Sequence, residues 1–572
     1  MSRAPDPVNR RDVLVLGLLA LLILGAGLGL RDGWPADEPR FAMIARDMVW
    51  TGDWIFPRRA GELYADKPPM FLWAIALFYK LLGNLRVAFL LPSLLGGLGT
   101  LALVYDLARR LWNAETAKLA ALALLFTVQF TLQARTAQID ALLVLWTTLA
   151  IYGFCRHLLL GPAPRWFVTA WAAMGLGVIT KGVGFLPLLL LVPYGYARWR
   201  QWPSAVNKLG VAPLLLGALA FVGMIALWAV PMLIAVAHSP DPALHQYRDN
   251  ILFHQTVDRY ADPWMHLKPV YYFFVNVIPI YWQPLVLLLP WLVPAWRARL
   301  RERDLPTLMF LSFAVMVLLF FSGSPAKRTM YILPVVPALA LAAAPLLREI
   351  WNRAAVQRTG WGFAMLLAIG AIGEAVWFGW IQAAQGQALA SDLDANPYPM
   401  LLALGAVALT SALALRPRRG GLAVLVTLTV AWVLYGFWAA PVFNPARSGS
   451  ALMAAAAEQL DPKDEIAMIN FREQMTLQAD RPVVQFGYHT DNAVERAQAV
   501  RWVREKPNRV VMVTEREAGK CFDPARAVPL KRWRSTRWSL LRADAVRDPL
   551  PEDCQLKVPP LTFQSLARPP AS

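Results

Sequence analysis

Between Trp34 and Trp73 the sequence reads WPADEPRFAMIARDMVWTGDWIFPRRAGELYADKPPMFLW, placing Asp37, Glu38, Arg40, Asp66 and Lys67 between two strongly apolar stretches. Carboxylates there could take or orient a proton, and cations could hold an anion. Asp37 and Arg40 are three residues apart, so on a helix they share a face and a base would sit beside its own counter-ion. Asp37 reads equally well as an N-cap, with Pro39 tolerated in the first turn. Asp140, in RTAQIDALLVLW, has the same two readings at the mouth of a span. Lys181, in ITKG, complements a helix C-terminus that Gly182 would stop, or reaches toward a phosphate. Lys67 precedes Pro68 and Pro69, which fix its backbone direction; snorkelling to the interface is its plainer reading. Arg40, Lys67, Lys181, Arg259, Lys327 and Arg328 all fall on one side of the apolar stretches. A cluster of cations near a membrane calls for an anion such as a lipid phosphate, which Arg grips as a fork and Lys as a point charge. His266, in DPWMHLKPVYYFF, could join Asp66 around a metal, although two ligands do not specify one.

The elements that must position these residues are set by composition. The 572 residues are 57% hydrophobic, and the mean hydropathy is +0.41. That excludes an ordinary soluble protein and indicates an integral membrane protein. MSRAPDPVNRRD and the apolar run after it look like a signal peptide, but no A-x-A site follows, so they read as an uncleaved first helix. The net charge of +18 would point to nucleic acid in a soluble chain. Here much of it lies in short loops, where cytoplasmic retention of Lys and Arg accounts for it, and no nucleic-acid partner is expected.

Runs of roughly 20 apolar residues predict about thirteen transmembrane helices, near 12–30, 86–107, 117–132, 139–154, 166–180, 184–196, 211–236, 271–291, 305–321, 330–347, 360–381, 399–415 and 422–438. Arg10 with Arg11, Arg109 with Arg110, Arg198 with Arg200, and the Arg-rich loops at 297–303, 348–358 and 416–419 then share one side, the cytoplasm. This divides the chain into a transmembrane domain, 1–440, whose first outer loop is 31–85, and an exported tail, 441–572. A second long outer loop runs from about Ala237 to Val270. The tail alternates strand-like and helical patterns at 465–471, 490–505, 509–514 and 538–541, so it is expected to be a small soluble α/β domain. Cys521 and Cys554 could form a disulfide there if it is exported, whereas Cys155 reads as a free thiol.

The stretches ADEPRFAMIARDM, YADKPPMFLW, RTAQIDALL, GVITKGVGFLP, HLKPVYYF and SPAKRTMYILPVVPALAL resemble, in order, segments of the GT-C glycosyltransferases related to aminoarabinose transferase and to the protein O-mannosyltransferases. The resemblance covers about Leu30 to Ala342. It implies a polytopic α-helical GT-C fold in a bacterial inner membrane, with site and tail facing the periplasm. It also implies transfer of an aminoarabinose-like or related sugar from a polyprenyl-phosphate carrier to lipid A or another envelope acceptor. By position it makes Asp37 the acidic residue near the reacting centre, with Arg40 beside it, and Asp140 a second cavity carboxylate. Lys67 matches the ligand of the carrier phosphate and Tyr64 a cavity aromatic. Lys327, Arg328 and Tyr331 belong to the family's lysine and tyrosine segment. Asp66 and His266 match positions associated with bound zinc, although the family's usual Glu is here the shorter Asp66. The expected chemistry is a single displacement with inversion, with Asp37 or Asp140 as base and cations stabilising the departing phosphate.

Two alternatives share these features. A protein O-glycosyltransferase would use the same scaffold with a protein acceptor in place of a glycolipid. A lipid-linked sugar transporter would place its binding groups near the midplane on paired broken helices, and no such pairing is evident.

Overall fold

The computed structural model describes residues 9–205, 207, 210–253, 267–530, 532–534, 536–557 and 560–567. Every apolar stretch read from the sequence contains helix. Among the described residues, seven helices are long and apolar enough to cross a membrane, or up to nine if two pairs bent by 71° and 101° each count as one span. Other stretches are shorter or broken: Gly184 to Tyr196 holds a 3-10 turn, Leu186–Leu190, followed by a helix, Leu191–Trp199. Prolines at 187 and 193 interrupt the backbone hydrogen bonding that a hydropathy window cannot see. In the helix Val211–Ala237 only 17% of the most apolar window is buried by protein. A helix so apolar all round and so little covered needs lipid as its solvent. This is a multi-pass membrane protein.

Helix α1 (Arg10–Gly25) leads into the first connection, which is more ordered than the loop expected from the sequence. It contains α2 (Glu38–Thr51), a two-stranded hairpin of β1 (Arg58–Arg59) and β2 (Glu62–Leu63), and α3 (Met70–Leu82). Phe41, Ile44, Ala45 and Met48 of α2 pack with Phe71, Leu72 and Ile75 of α3 and with Ile139 and Leu142. This spacing puts one apolar face of α2 inward. The helices α4 (Leu91–Leu111), α5 (Ala114–Phe126), α6 (Val128–Ala134), α7 (Ile139–Leu158) and α8 (Pro164–Lys181) follow. At Gly96 of α4 a Cβ would stand 2.9 Å from the Ala141 carbonyl oxygen, so only glycine lets the start of α7 approach this closely. Asp140, one residue before Ala141, is buried.

The C-terminal part carries a six-stranded sheet in the order β6-β7-β5-β3-β4-β8. The central strands β3 (Glu465–Met468), β4 (Val483–Gln485) and β5 (Arg509–Thr514) are parallel. Around them β6 (Val528–Pro529), β7 (Trp538–Leu541) and β8 (Phe563–Gln564) add antiparallel edges. A helix, Asn492–Arg504, packs Ala499, Val500 and Val503 on this sheet. Cys521 and Cys554 are joined in a disulfide, and Cys155 is buried and free.

Candidate active site

Asp37 occupies the N-cap position of α2, but its side chain makes no capping hydrogen bond. Its carboxylate is instead buried among cations. Arg328 Nη2 lies 2.9 Å from Asp37 Oδ2, Gln138 Nε2 donates to the same oxygen at 3.4 Å, and Arg40 Nη1 lies 3.6 Å from Oδ1. Burial alone would push this carboxyl up; the charges of Arg328 and Arg40, with the hydrogen bonds from Arg328 and Gln138, outweigh it and hold Asp37 below the usual carboxylate range. The neighbouring Glu38 is differently employed. Its two oxygens accept from Arg31, from the backbone N–H of Trp34 at 2.9 Å and from that of Ala137 at 3.0 Å. Glu38 therefore ties α2 to the segment that leads into α7.

Asp140 lies in the first turn of α7, whose N-cap position is Gln138, and it pairs with Lys181 at the end of α8. Gly182, with φ +80°, ends that helix as the ITKG pattern predicts. The Lys181 ammonium also sits 4.5 Å from the centre of the Tyr331 ring. Arg328 is held in its charged state by Asp37 first, and then by Asp140 and Tyr331 despite burial. Asp37, Arg40, Gln138, Asp140, Lys181, Arg328 and Tyr331 thus form one group, drawn from the first loop, two helix ends and the 324–332 connection.

Lys67 lies in the turn before α3 and donates from Nζ to the Asp66 carbonyl at 2.9 Å. Tyr64 is fully buried next to Arg40, and burial pushes its hydroxyl up. Lys327 is committed elsewhere: its ammonium donates to the carbonyls of Lys268, at 3.0 Å, and Ser324. Those contacts fasten the 267–268 segment to the 324–327 turn. Arg259 and His266 lie outside the described residues. Arg135 donates to backbone carbonyls of Ile23 and Ala26 and lies over the rings of Trp432 and Tyr435. It braces α1 against the helix Gly420–Leu434 and its π-helical continuation.

The C-terminal part completes the site in a way that nothing in the motifs indicated. Glu473 Oε1 accepts from Arg40 Nε at 2.9 Å and lies 2.5 Å from Arg59 Nη2. The Arg59 guanidinium lies 4.3 Å from the centre of the Tyr488 ring. Glu62 of the hairpin accepts from the Tyr488 backbone N–H at 3.0 Å and from Gln485 Nε2 at 3.2 Å. Gly61, with φ +90°, faces the β8 backbone, where a Cβ would stand 2.7 Å from the Gln564 carbonyl oxygen. The hairpin therefore lies directly against the sheet edge. His489 Nε2 stands 3.6 Å from Asp66 Oδ1. Burial would raise Asp66, but the contacts of His489 and Lys67 hold it below its usual range. Among the described residues no group of three or more His, Cys, Asp or Glu is placed to hold a metal ion. That donor set does not make a zinc site by itself, and no step below is routed through a metal.

Residues 66–228 match the family model for dolichyl-phosphate-mannose-protein mannosyltransferase. The chain superposes on ArnT from Cupriavidus metallidurans, crystallised with undecaprenyl phosphate, with a TM-score of 0.69 over 94% of this chain and 100% of that one, at 22% identity. The chain is ArnT-like in fold. In sequence, this ArnT-like chain is 33% identical over 350 residues to undecaprenyl phosphate-alpha-4-amino-4-deoxy-L-arabinose arabinosyl transferase 1 of Pseudomonas fluorescens, covering 58% of this chain and 59% of the relative. It is 28% identical over 333 residues to the corresponding transferase of Serratia proteamaculans, covering 57% and 58%. The alignments thus span less than two thirds of these relatives. A more distant fold match is the oligosaccharyltransferase AglB of Archaeoglobus fulgidus, with a TM-score of 0.50, 12% identity, and coverage of 88% of this chain and 69% of that one. The fold shared with ArnT is a helical membrane body with several apolar spans.

Proposed function

We propose that the protein transfers a sugar, aminoarabinose-like or related, from a polyprenyl-phosphate carrier to lipid A or another cell-envelope acceptor. The observation that carries this reading is the placement of Asp37 on an ArnT-like fold, ionised, buried and shared between Arg328 and Arg40. Asp37 Oδ2 is committed to Arg328 and Gln138. Oδ1 has Arg40 at 3.6 Å, beyond hydrogen-bond range, so it keeps a lone pair for an incoming hydroxyl. In the reaction the acceptor oxygen attacks the anomeric carbon while its proton passes to Asp37 Oδ1. The bond between that carbon and the phosphate oxygen breaks, and the electron pair leaves with the carrier phosphate. The product is inverted at the anomeric carbon. Arg328, Arg40, Lys67 and Lys181 supply cations for the departing charge. Because Arg328 and Arg40 already neutralise Asp37, an arriving phosphate competes for them and strengthens Asp37 as a base when the donor is in place. Asp140, held by Lys181, serves as the second carboxylate of the cavity.

In this reading the chain divides into a transmembrane catalytic domain, 1–440, with about thirteen crossings, and a periplasmic α/β domain, 441–572. The shorter helices complete the crossings, and the site faces the periplasm of a bacterial inner membrane. The disulfide supports an exported tail, since such bonds persist in oxidising compartments. The sequence and its resemblance alone assign Lys327 and Arg259 to the carrier site and a divalent ion, zinc, to Asp66 and His266; metal analysis of the purified protein checks this.

The deciding experiment incubates purified protein with defined polyprenyl-phosphate sugars and lipid A, following release of the carrier phosphate and the mass of lipid A. Carrier release coupled to a sugar-sized mass gain, both lost in Asp37→Asn, is the expected result. Unchanged carrier and acceptor across the sugars tested would end the proposal.

A further inference from the structure

At the end of the helical body opposite Asp140 lies a cavity of about 410 Å³, within the size range of sites for small ligands. Its place follows from the helix directions. Asp140 begins α7, whereas Asp106, near the far end of α4, accepts from Tyr152, near the far end of α7. α5 starts three residues after α4 ends, on that same far side. The cavity runs along α5 from Glu115 to Phe126, which at the helical rise is about 16 Å. Its walls are almost wholly apolar, including Leu119, Leu122, Phe126, Leu288 and Val424. The polar residues of its lining are Glu115, Arg348, Asn352 and Thr359, and Arg348 Nη1 meets Glu115 Oε2 at 2.8 Å.

That pattern has a chemical meaning. A dry channel about as long as most of an acyl chain, open at a charged rim, fits a lipid entering tail first. Arg348 is 71% exposed in its side chain, so its pairing with Glu115 is a weak surface contact that a phosphate could displace. The rim is also richer in cations than this pair alone. Arg353 lies five residues beyond Arg348, and Arg418 and Arg419 directly precede Gly420 and the cavity-lining Gly421. The carboxylates nearby, Glu115 and Glu349, pair with Arg348 and Arg353 and leave a cationic excess.

We propose that this cavity is a binding site for an anionic glycerophospholipid of the leaflet opposite the candidate active site, with one acyl chain along α5 and the headgroup phosphate at Arg348. The observations favour this occupant over the polyprenyl carrier. The carrier's phosphate belongs, by its chemistry, with the cations around Asp37, at the other end of the bundle. The choice against the carrier rests on the transfer reading, whereas the cavity and its charged rim require only that the chain spans a bilayer.

Native mass spectrometry of the full-length protein, delipidated and titrated with phosphatidylglycerol, phosphatidylethanolamine or polyprenyl phosphate, tests the proposal. Phosphatidylglycerol should be retained over phosphatidylethanolamine, and Arg348→Gln should reduce that preference roughly five-fold, the equivalent of one interfacial cation. Ala123→Trp, which fills the channel, should abolish retention of both phospholipids. Because Arg348 is exposed, R348Q should fold normally, which keeps the test decisive if A123W does not. Equal retention of the two phospholipids by the wild-type protein, or unchanged preference in R348Q, would overturn the proposal. So would polyprenyl phosphate displacing phosphatidylglycerol from the wild type but binding undiminished in R348Q and A123W.

Discussion

Arg328 Nη2 and Asp37 Oδ2 meet at 2.9 Å across 291 residues of sequence. Their contact joins the first connection of the chain to the one before the helix Val335–Trp351, and it fixes the charge of the carboxylate that the proposed reaction needs. Arg328 is the largest of the influences that lower Asp37 against the upward push of burial.

Replacing Arg328 by Gln should therefore raise Asp37. In the wild-type protein Asp37 stays ionised well below neutrality, so no acid limb of the pH–rate profile between pH 5 and 8 should belong to it. In Arg328→Gln the carboxyl keeps its burial and loses its main counter-ion. An acid limb should then move upward, toward neutrality. Activity should also fall at all pH values, because a cation for the leaving phosphate is gone. Transfer rates across pH 4–8 check this; a profile identical in shape to that of the wild type would count against Asp37 as the base.

Glu473 offers a test of how the C-terminal part holds the first connection. It is buried and compensates both Arg40 and Arg59. Removing one partner of a buried ion pair leaves the other charge stranded, typically at about 3–5 kcal/mol. Here Arg40 and Arg59 keep some solvent access, at 21% and 11% of their side chains, so the lower end of that range is expected for Glu473→Ala. Protease cleavage within the 58–63 hairpin should accelerate in this variant, and less so in Glu473→Gln. Equal cleavage rates in the wild type and E473A would mean that the bridge does not hold the two parts together.

What could be read from the sequence follows from which forces act locally. Lipid demands long apolar helices, so a helical membrane body was legible; of the about thirteen spans expected, seven, or up to nine with the bent pairs, are long and apolar enough to cross among the described residues, and prolines such as Pro187 and Pro193 break some stretches without changing hydropathy. In the tail, the patterns at 465–471, 490–505, 509–514 and 538–541 meet β3, the helix Asn492–Arg504, β5 and β7. The edge strands Val528–Pro529 and Phe563–Gln564 are two residues long, too short to show alternation. The first connection was expected as a loop, yet α2 and α3 form there because Phe41, Ile44 and Met48 find a core in Phe71, Leu72 and Ile75. Asp37 and Arg40 could be placed on one face by spacing alone. Their neighbours could not: Glu473 reaches Arg40 across 433 residues, a contact that no local pattern encodes.

Glu495 makes the C-terminal domain sensitive to pH. Burial pushes its carboxyl up to about 7, against a hydrogen bond from the Asn470 backbone N–H at 2.7 Å. Between the unfolded value near 4.5 and about 7 the folded state binds the extra proton, so stability should fall as pH rises through that window and level off above it. The size is on the order of 3 kcal/mol. Glu495→Gln keeps an acceptor for Asn470 and needs no proton, so it should raise thermal stability at pH 8 and change it little at pH 5. A destabilised E495Q at pH 8 would mean that the ionised carboxylate is the form the fold prefers.

The disulfide between Cys521 and Cys554 spans 33 residues and ties the end of the helix Glu515–Cys521 to the 552–554 turn, beneath the helix Asn492–Arg504. By chain entropy, closing a loop of that length stabilises the folded state by about 3.5 kcal/mol. The bond does not touch the 58–63 hairpin or Glu473, so its loss should act on the sheet domain first. Replacing both cysteines by serine should lower the melting temperature of the C-terminal domain and expose its 521–554 segment to protease, with the membrane helices unaffected. Carrier-phosphate release should persist at low temperature, where the domain stays folded and Glu473 stays on Arg40, and fail on warming before the membrane body unfolds. Measuring release and proteolysis on the same temperature series checks both halves; activity that outlasts cleavage of the domain would show that Arg40 keeps its position without Glu473.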